Sequence, residues 1–170
     1  MAPGMSGRME PDGPDTLPGR SKPDGPENMP GDGTGTAYSE KVRQYSPLTL
    51  AYAGDAAYEL VIRTMLVRRA NQPVHRLHRQ ASSLVKAEKQ SEMAAILEPL
   101  LTEEELQVYR RGRNARANTH ARSAGIQEYR RATGFEAVIG FLWLSGQKER
   151  MLDLIAAGLQ IGREELQFEK

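Results

Sequence analysis

Apolar residues recur at helical spacing from Tyr38 to the end of the chain, and no run alternates in the way that predicts a β-strand. Ser46-Pro47 has the form of a helix start, because a capping hydroxyl precedes a proline at the first helical position. Residues 102–105 have the form of a capping box. The pattern predicts an all-α fold with five helices, over about 47–69, 74–98, 103–112, 126–145 and 147–159.

The first predicted helix is largely apolar on more than one side and carries a glycine near its middle. In a helix interior, a glycine such as Gly54 costs about 1 kcal/mol relative to alanine. It is typical of a helix whose backbone approaches another backbone closely. We therefore expect a tight helix crossing at Gly54.

Two carboxylates interrupt the most apolar stretches of the chain. Asp55 lies within residues 50–62 and Glu136 within residues 133–144, and both have mostly apolar or small residues at neighbouring helical positions. An unpaired carboxylate in such surroundings costs several kcal/mol, roughly, or shifts its pKa. The structural alternative is a bond to an arginine or, for Asp55, to a helix N-terminus. Together the two acids predict a divalent-metal site, since hard cations take carboxylate oxygens and complete their shells with water and phosphate.

Residues 1–36 differ from the rest of the chain in composition. They hold seven of the ten prolines and eight of the sixteen glycines, and three basic against six acidic residues give them a net charge of −3. Residues 37–170 carry a net charge of +4. A segment so poor in large apolar residues cannot bury enough surface to offset its ordering entropy. We predict a disordered tail over 1–36 and one basic folded domain over 37–170.

The chain contains no cysteine, which excludes disulfides and thiolate metal sites. It also lacks the apolar N-terminal stretch of a signal peptide and any apolar run of about 18 residues. We expect a cytoplasmic protein without a membrane partner.

Residues 109–131 are rich in arginine and contain one acid, Glu128. The arginines are Arg110, Arg111, Arg113, Arg116, Arg122, Arg130 and Arg131. Guanidinium groups suit bidentate phosphate contacts, so the segment predicts a nucleic-acid phosphodiester substrate; the alternative is a solvated basic loop. His75 and His78 lie three residues apart, but flanking arginines repel a cation, and RNA contact or solvation is the favoured interpretation.

At these residues the chain resembles the ribonuclease III catalytic domain, and most closely the Mini-ribonuclease III subfamily, over about residues 45–160. The motifs that carry the resemblance are Leu50-Ala51-Tyr52-Ala53-Gly54-Asp55-Ala56, Thr133-Gly134-Phe135-Glu136-Ala137 with Gly140, Arg111-Gly112-Arg113-Asn114-Ala115, and Leu77-His78. The resemblance implies a ribonuclease III endonuclease-domain helical bundle.

The resemblance also implies site residues. Asp55 and Glu136 take the positions of the family's catalytic, metal-holding acids, and Arg111, Arg113, Asn114 and Arg116 are expected to bind RNA. Ala51 and Thr133 stand where the larger enzymes have further acids, as is usual in the smaller subfamily. The number of Mg²⁺ ions is therefore open, with one held firmly and a second recruited with the scissile phosphate.

The function implied is Mg²⁺-dependent cleavage of double-stranded RNA that leaves 5′-phosphate ends, by a homodimer packed through the signature helix. The expected substrate is the large-subunit (23S) ribosomal RNA precursor, with a ribosomal protein as an optional accessory partner. The alternative is a non-catalytic RNA-binding helical module of degenerate ribonuclease III type. The presence of both Asp55 and Glu136 favours the enzyme.

Overall fold

Six longer α-helices, two short 3₁₀ helices and a helical turn at 40–43 make up most of residues 40–115 and 123–166, the part of the chain that this computed structural model describes. The helices are α1 (Pro47–Arg69), α2 (Val74–Val85), α3 (Ala87–Leu97), α4 (Glu103–Asn114), α5 (Ser123–Leu144) and α6 (Lys148–Leu159), with 3₁₀ turns at Glu98–Leu100 and Arg163–Leu166. Neither described range contains a strand, so the prediction of an all-α fold is confirmed. The predicted tail over 1–36 lies outside the described residues.

Local start signals act as the sequence predicts. The Ser46 hydroxyl accepts a hydrogen bond from the Thr49 backbone N–H at 3.0 Å, and Pro47 occupies the first helical position of α1. At α4, the Thr102 hydroxyl accepts from the Glu105 N–H at 3.3 Å while the Glu105 carboxylate accepts from the Thr102 N–H at 2.8 Å. This reciprocal pair confirms the capping box.

The second predicted helix, 74–98, is wrong as a single element. It consists of α2 and α3, separated at Lys86, whose backbone is extended (φ −64°, ψ 149°). Leu77, Ala81 and Leu84 follow one helical stripe, but Met93 and Leu97 fall on nearly the opposite side of a continuous helix. The break lets each half turn its own apolar side toward the core.

Helix α5 is the central element, because it packs against α1, α3, α4 and α6. Its closest approach is to α1, at two facing glycines. A Cβ on Gly54 would overlap the Glu136 carbonyl oxygen and lie 2.6 Å from the Gly140 nitrogen, and a Cβ on Gly140 would overlap the Leu50 carbonyl. The expected tight crossing at Gly54 is therefore confirmed.

A half-buried ion pair joins α4 to α6. Glu105 is 3% exposed, and Arg150 donates from Nε to its Oε1 at 2.8 Å and from Nη2 to its Oε2 at 2.9 Å. The same guanidinium donates to the Leu100 carbonyl at 2.8 Å. The pair ties the capped start of α4 to the last long helix. Within the described ranges, no helix combines the length and apolarity needed to span a membrane.

Candidate active site

The α1–α5 crossing brings the two predicted acids together. Asp55 directly follows Gly54, whose Cα lies against the Glu136 backbone across the crossing. The carboxylates are near enough for the charge of Asp55 to raise the pKa of Glu136. Two acids that are eighty-one positions apart in the sequence therefore form one site because glycines let their helices meet.

Glu136 is the more enclosed of the two acids. Its side chain is partly buried on the inner side of α5. Burial, and then the charge of Asp55, raise the pKa of Glu136 to about 7, whereas the neighbouring Gln90 side chain acts in the opposite direction. Near neutral pH this carboxylate is consequently poised between its neutral and charged forms unless a cation binds.

Asp55 is exposed, so the expectation that it lies among apolar side chains is wrong. Ala56, the next residue in the sequence, is exposed as well, whereas Ala51 and Tyr58, one turn before and one turn after Asp55, are buried. Because α1 is apolar on more than one side, the spacing of its apolar residues did not show which side faces the core and which is exposed. Partial burial, and then the charge of Glu59, raise the pKa of Asp55.

The donor set fits a hard divalent cation. Burial and other carboxylates raise the pKa of both acids, and within residues 40–115 and 123–166 no basic side chain counters them. In the part of the chain that the structure describes, no cluster of three or more Asp, Glu or His residues could hold a metal. A two-carboxylate site is compatible with Mg²⁺, which keeps several waters and takes further oxygens from a substrate phosphate. Asp55 and Glu136 are therefore the residues that would hold it.

Aromatic packing beneath the site sets how α1 and α5 face each other. Tyr58 lies one turn after Asp55, and its ring meets that of Phe135 edge-on with centroids 5.1 Å apart. The Tyr58 hydroxyl donates to the Leu84 carbonyl at 3.0 Å and contacts the Met93 sulfur at 3.2 Å. Because Phe135 directly precedes Glu136, this contact supports both acids from below.

The two positions without acids are occupied in other ways. Ala51 is 5% exposed and contributes only a methyl group. Thr133 is also 5% exposed, and its hydroxyl donates to the Tyr129 carbonyl of its own helix at 3.0 Å. Neither residue can supply a further anionic ligand.

The predicted RNA-binding residues are only partly described. Arg111 donates to the backbone carbonyls of Arg43 at 3.2 Å and Tyr45 at 2.8 Å. Arg113 lies over the Tyr109 ring, 5.7 Å from its centroid. Asn114 is exposed at the end of α4, and Arg116 lies outside the described residues. Contact of these four residues with RNA stays a prediction.

Gln90 is a residue near the site that the sequence interpretation missed. It lies on α3, is 1% exposed, and neighbours the Glu136 carboxylate. The available signal was a polar residue at the helical spacing of Met93, Ala94 and Leu97, which are all buried. That signal was hidden because 74–98 was interpreted as one helix with a single stripe.

Comparison with known proteins assigns the chain to a family. The profile of the ribonuclease III domain matches residues 48–147. Mini-ribonuclease 3 from Thermoanaerobacter sp. is 43% identical over 130 residues, which cover 76% of this chain and 92% of that protein. Mini-ribonuclease 3 from Clostridium tetani is 41% identical over 131 residues, covering 76% and 87% of the two chains. A crystal structure of a Fusobacterium nucleatum protein superposes with a TM-score of 0.63 at 31% identity, covering 71% of this chain and 96% of that one. The chain therefore belongs to the ribonuclease III domain family, with Mini-ribonuclease 3 proteins among its relatives, and the prediction of a ribonuclease of this kind is confirmed.

Proposed function

We propose that this ribonuclease is a Mg²⁺-dependent endonuclease that cleaves double-stranded RNA and leaves 5′-phosphate ends. The observation that carries the proposal is the pair of carboxylates, Asp55 and Glu136, which meet at the α1–α5 crossing without a basic partner among the described residues. Repulsion between them makes a bound divalent cation favourable, because the cation neutralises both charges at once.

The two acids have different surroundings, which suit different tasks. Glu136 is held by the packing of α5 and provides a fixed ligand, whereas Asp55 is exposed and lies on the side open to a substrate. A bound Mg²⁺ would supply Lewis-acid polarisation of the scissile phosphate and lower the pKa of a bound water. The exposed position of Asp55 keeps the site accessible to a bulky duplex.

The basic segment beside the site supports RNA as the substrate. Arg113 and Asn114 are at the end of α4, and Arg111 lies two residues before Arg113. Guanidinium groups can neutralise phosphates, and A-form RNA is recognised chiefly by its shape, phosphates and 2′-hydroxyls. We assign phosphate contacts to Arg111, Arg113, Asn114 and Arg116.

A homodimer is part of the proposal. Helix α1 exposes Tyr52, Leu60 and Val67, which are 83%, 58% and 59% exposed. Their spacing of eight and seven residues puts them on one side of the helix. Exposed large apolar residues on one side of a surface helix are typical of an interface, and a two-fold axis would bury them against their own copies.

We extend the proposal to the biological substrate, the large-subunit (23S) ribosomal RNA precursor processed in the cytoplasm, with a ribosomal protein as an optional accessory partner. The names of the Mini-ribonuclease 3 relatives and the basic character of the folded part support an RNA-processing role. The alternative is a non-catalytic RNA-binding module. A non-catalytic module does not explain why two carboxylates lie side by side at the helix crossing.

The test is cleavage of a double-stranded stem from a large-subunit ribosomal RNA precursor. We expect cleavage with Mg²⁺, none with chelator, and product ends that carry a 5′-phosphate and a 3′-hydroxyl. The same sequence in single-stranded form is the control and should stay intact. Binding without cleavage at any Mg²⁺ concentration would instead support the RNA-binding module.

A further inference from the structure

Gln90 is a buried polar side chain whose amide nitrogen lacks a normal hydrogen bond. It lies on the side of α3 that faces the core and is 1% exposed. Its Nε2 atom is buried and makes no hydrogen bond of normal geometry within the described residues. Leaving a buried amide nitrogen unpaired is unfavourable, so a position such as this calls for an acceptor nearby.

The acceptor beside Gln90 is the Glu136 carboxylate on α5. The Gln90 side chain lowers the pKa of Glu136 against the effect of burial, as a hydrogen-bond donor to the charged carboxylate does. A bond from Nε2 to a carboxylate oxygen would satisfy the buried amide nitrogen. Helices α3 and α5 pack directly against each other, which holds the two groups in reach.

Other neighbours of Glu136 cannot take this role. The Thr133 hydroxyl, one turn earlier on α5, is already used on the Tyr129 carbonyl. Ala51, across the crossing, has no polar atom. Gln90 is accordingly the one hydrogen-bonding side chain that acts on Glu136 among those that the structure describes.

The chemistry of an amide suits a metal ligand better than that of an arginine or lysine would. An amide N–H orients a carboxylate without adding a positive charge, so the carboxylate keeps its full attraction for a cation. Hydrogen bonds to metal-binding carboxylates fix their orientation, and loss of such a bond commonly weakens metal affinity 10–100-fold, roughly.

We propose that Gln90 is a positioning residue for the metal site: its Nε2–H donates to one oxygen of Glu136 and leaves the other oxygen directed toward the cation. The inference rests on the proposed function, because it assumes that Glu136 is a metal ligand. It adds that a neutral side chain on α3 prepares a site that has only two acids.

The test measures Mn²⁺ binding to the full chain without RNA, by electron paramagnetic resonance of the free ion. Gln90→Met keeps the length of the side chain and removes the donor, and we expect Mn²⁺ affinity to fall about tenfold or more. Ser91→Ala, at the adjacent buried position on the same helix, is the matched control and should leave affinity unchanged. Gln90→Asn shortens the side chain by one methylene, which moves the amide away from Glu136, and it should also weaken Mn²⁺ binding. This variant replaces Gln90→Met in the test if Gln90→Met does not fold.

A double-mutant cycle separates positioning from general packing. In a Glu136→Gln background, Gln90→Met should have no further effect on Mn²⁺ affinity, because the carboxylate it orients is gone. Equal losses with and without Glu136 would overturn the inference. In cleavage assays, the Mg²⁺ concentration for half-maximal rate should rise while the rate at saturating Mg²⁺ stays within about threefold of the unaltered enzyme.

The two proposals fail in distinguishable ways. If Mn²⁺ affinity depends on Asp55 and Glu136 but is unchanged in Gln90→Met, the inference about Gln90 is wrong and the metal site stands. If Glu136→Gln leaves Mn²⁺ affinity intact, the metal site is wrong and the inference falls with it. The Mn²⁺ measurement needs no cleavage, so it tests the role of Gln90 even if the protein binds metal but does not cut RNA.

Discussion

Two acids of this protein, Glu105 and Glu136, are both drawn into the interior by their helices but meet opposite surroundings. Burial acts to raise the pKa of Glu105, but hydrogen bonds from Arg150 and the Thr102 backbone outweigh it and hold this pKa below its usual value. Burial raises the pKa of Glu136 as well, and there the charge of Asp55 raises it further, so the pKa reaches about 7.

The difference shows that burial alone does not identify a functional acid. Glu105 has its charge satisfied by Arg150 within the fold, at 2.8 and 2.9 Å, so it can serve stability and needs no ligand. Glu136 has a like charge beside it and a neutral amide behind it, and no described residue supplies it with a cation. We expect changes at Glu105 to affect folding and changes at Glu136 to affect chemistry.

The largest expected effect is on cleavage. Asp55→Asn and Glu136→Gln should each reduce the cleavage rate by about a thousandfold, equivalent to roughly 4 kcal/mol of transition-state stabilisation, because the cation loses a ligand. Rates are measured on the double-stranded precursor stem under single-turnover conditions. Glu105→Gln, assayed at a temperature where it is folded, should stay within about threefold of the unaltered enzyme. A fully active Glu136→Gln would break the comparison.

The next effect is on stability. Glu105→Gln should lower the free energy of unfolding by about 2–3 kcal/mol, since it leaves the Arg150 guanidinium partly buried without its counter-ion. Denaturant unfolding at pH 7, followed by circular dichroism, gives the value. Glu92→Gln, an exposed residue with a surface ion pair to Lys89, is the control and should change stability by less than about 0.5 kcal/mol. Equal effects for the two variants would show that the Glu105–Arg150 pair contributes no more than a surface pair.

The effects of Glu136→Gln and Glu105→Gln on the free energy of unfolding should depend on pH in opposite ways. Because the pKa of Glu136 is raised, the folded state binds its proton more tightly than the unfolded state, and stability from this group is lost as pH rises from about 4.5 to about 7. Glu136→Gln removes that loss, so its free energy of unfolding relative to that of the unaltered protein should rise by about 3 kcal/mol between pH 4.5 and pH 8 without metal. Urea unfolding across this pH range with chelator present measures it.

Glu105 should show the reverse trend. Its pKa is lowered, so its stabilising contribution is present above the ordinary pKa of a glutamate and is lost as pH falls through the folded value. The stability gap between the unaltered protein and Glu105→Gln should therefore narrow on acidification below about pH 4.5. Parallel pH profiles for the two variants would contradict the assignment of opposite partners.

The smallest expected effect is at the arginines, of which Arg113 has a looser ion pair, to Glu98 at 3.8 Å, than Arg150 has to Glu105 at 2.8 Å. Arg113→Ala should weaken binding to duplex RNA and reduce the slope of log K against log salt by about one unit, if the side chain neutralises one phosphate. Arg150→Ala should leave that slope unchanged, because its guanidinium is used on Glu105. Binding is measured with a cleavage-deficient Asp55→Asn background at several salt concentrations. An unchanged slope for Arg113→Ala would remove it from the RNA-binding surface.

Most helices of this fold could be predicted because their signals are local. Capping by Ser46 and by Thr102, and the proline at position 47, depend on residues within one turn of each other. Gly54 was also informative without any other residue, since a glycine is unfavourable inside an apolar helix and indicates a close backbone approach. The break at Lys86 was missed because no glycine or proline marks it; only the conflict between two apolar stripes does.

By itself the sequence determined that the chain is helical, that it holds two acids in apolar stretches, and that an arginine-rich segment leads to the second of them. The tertiary structure alone decided what those acids touch. The Gly54–Gly140 crossing sets Asp55 beside Glu136, and the break between α2 and α3 turns Gln90 inward. Helical signals arise between residues one turn apart, whereas the charge state of a carboxylate depends on groups that only packing brings within a few ångströms.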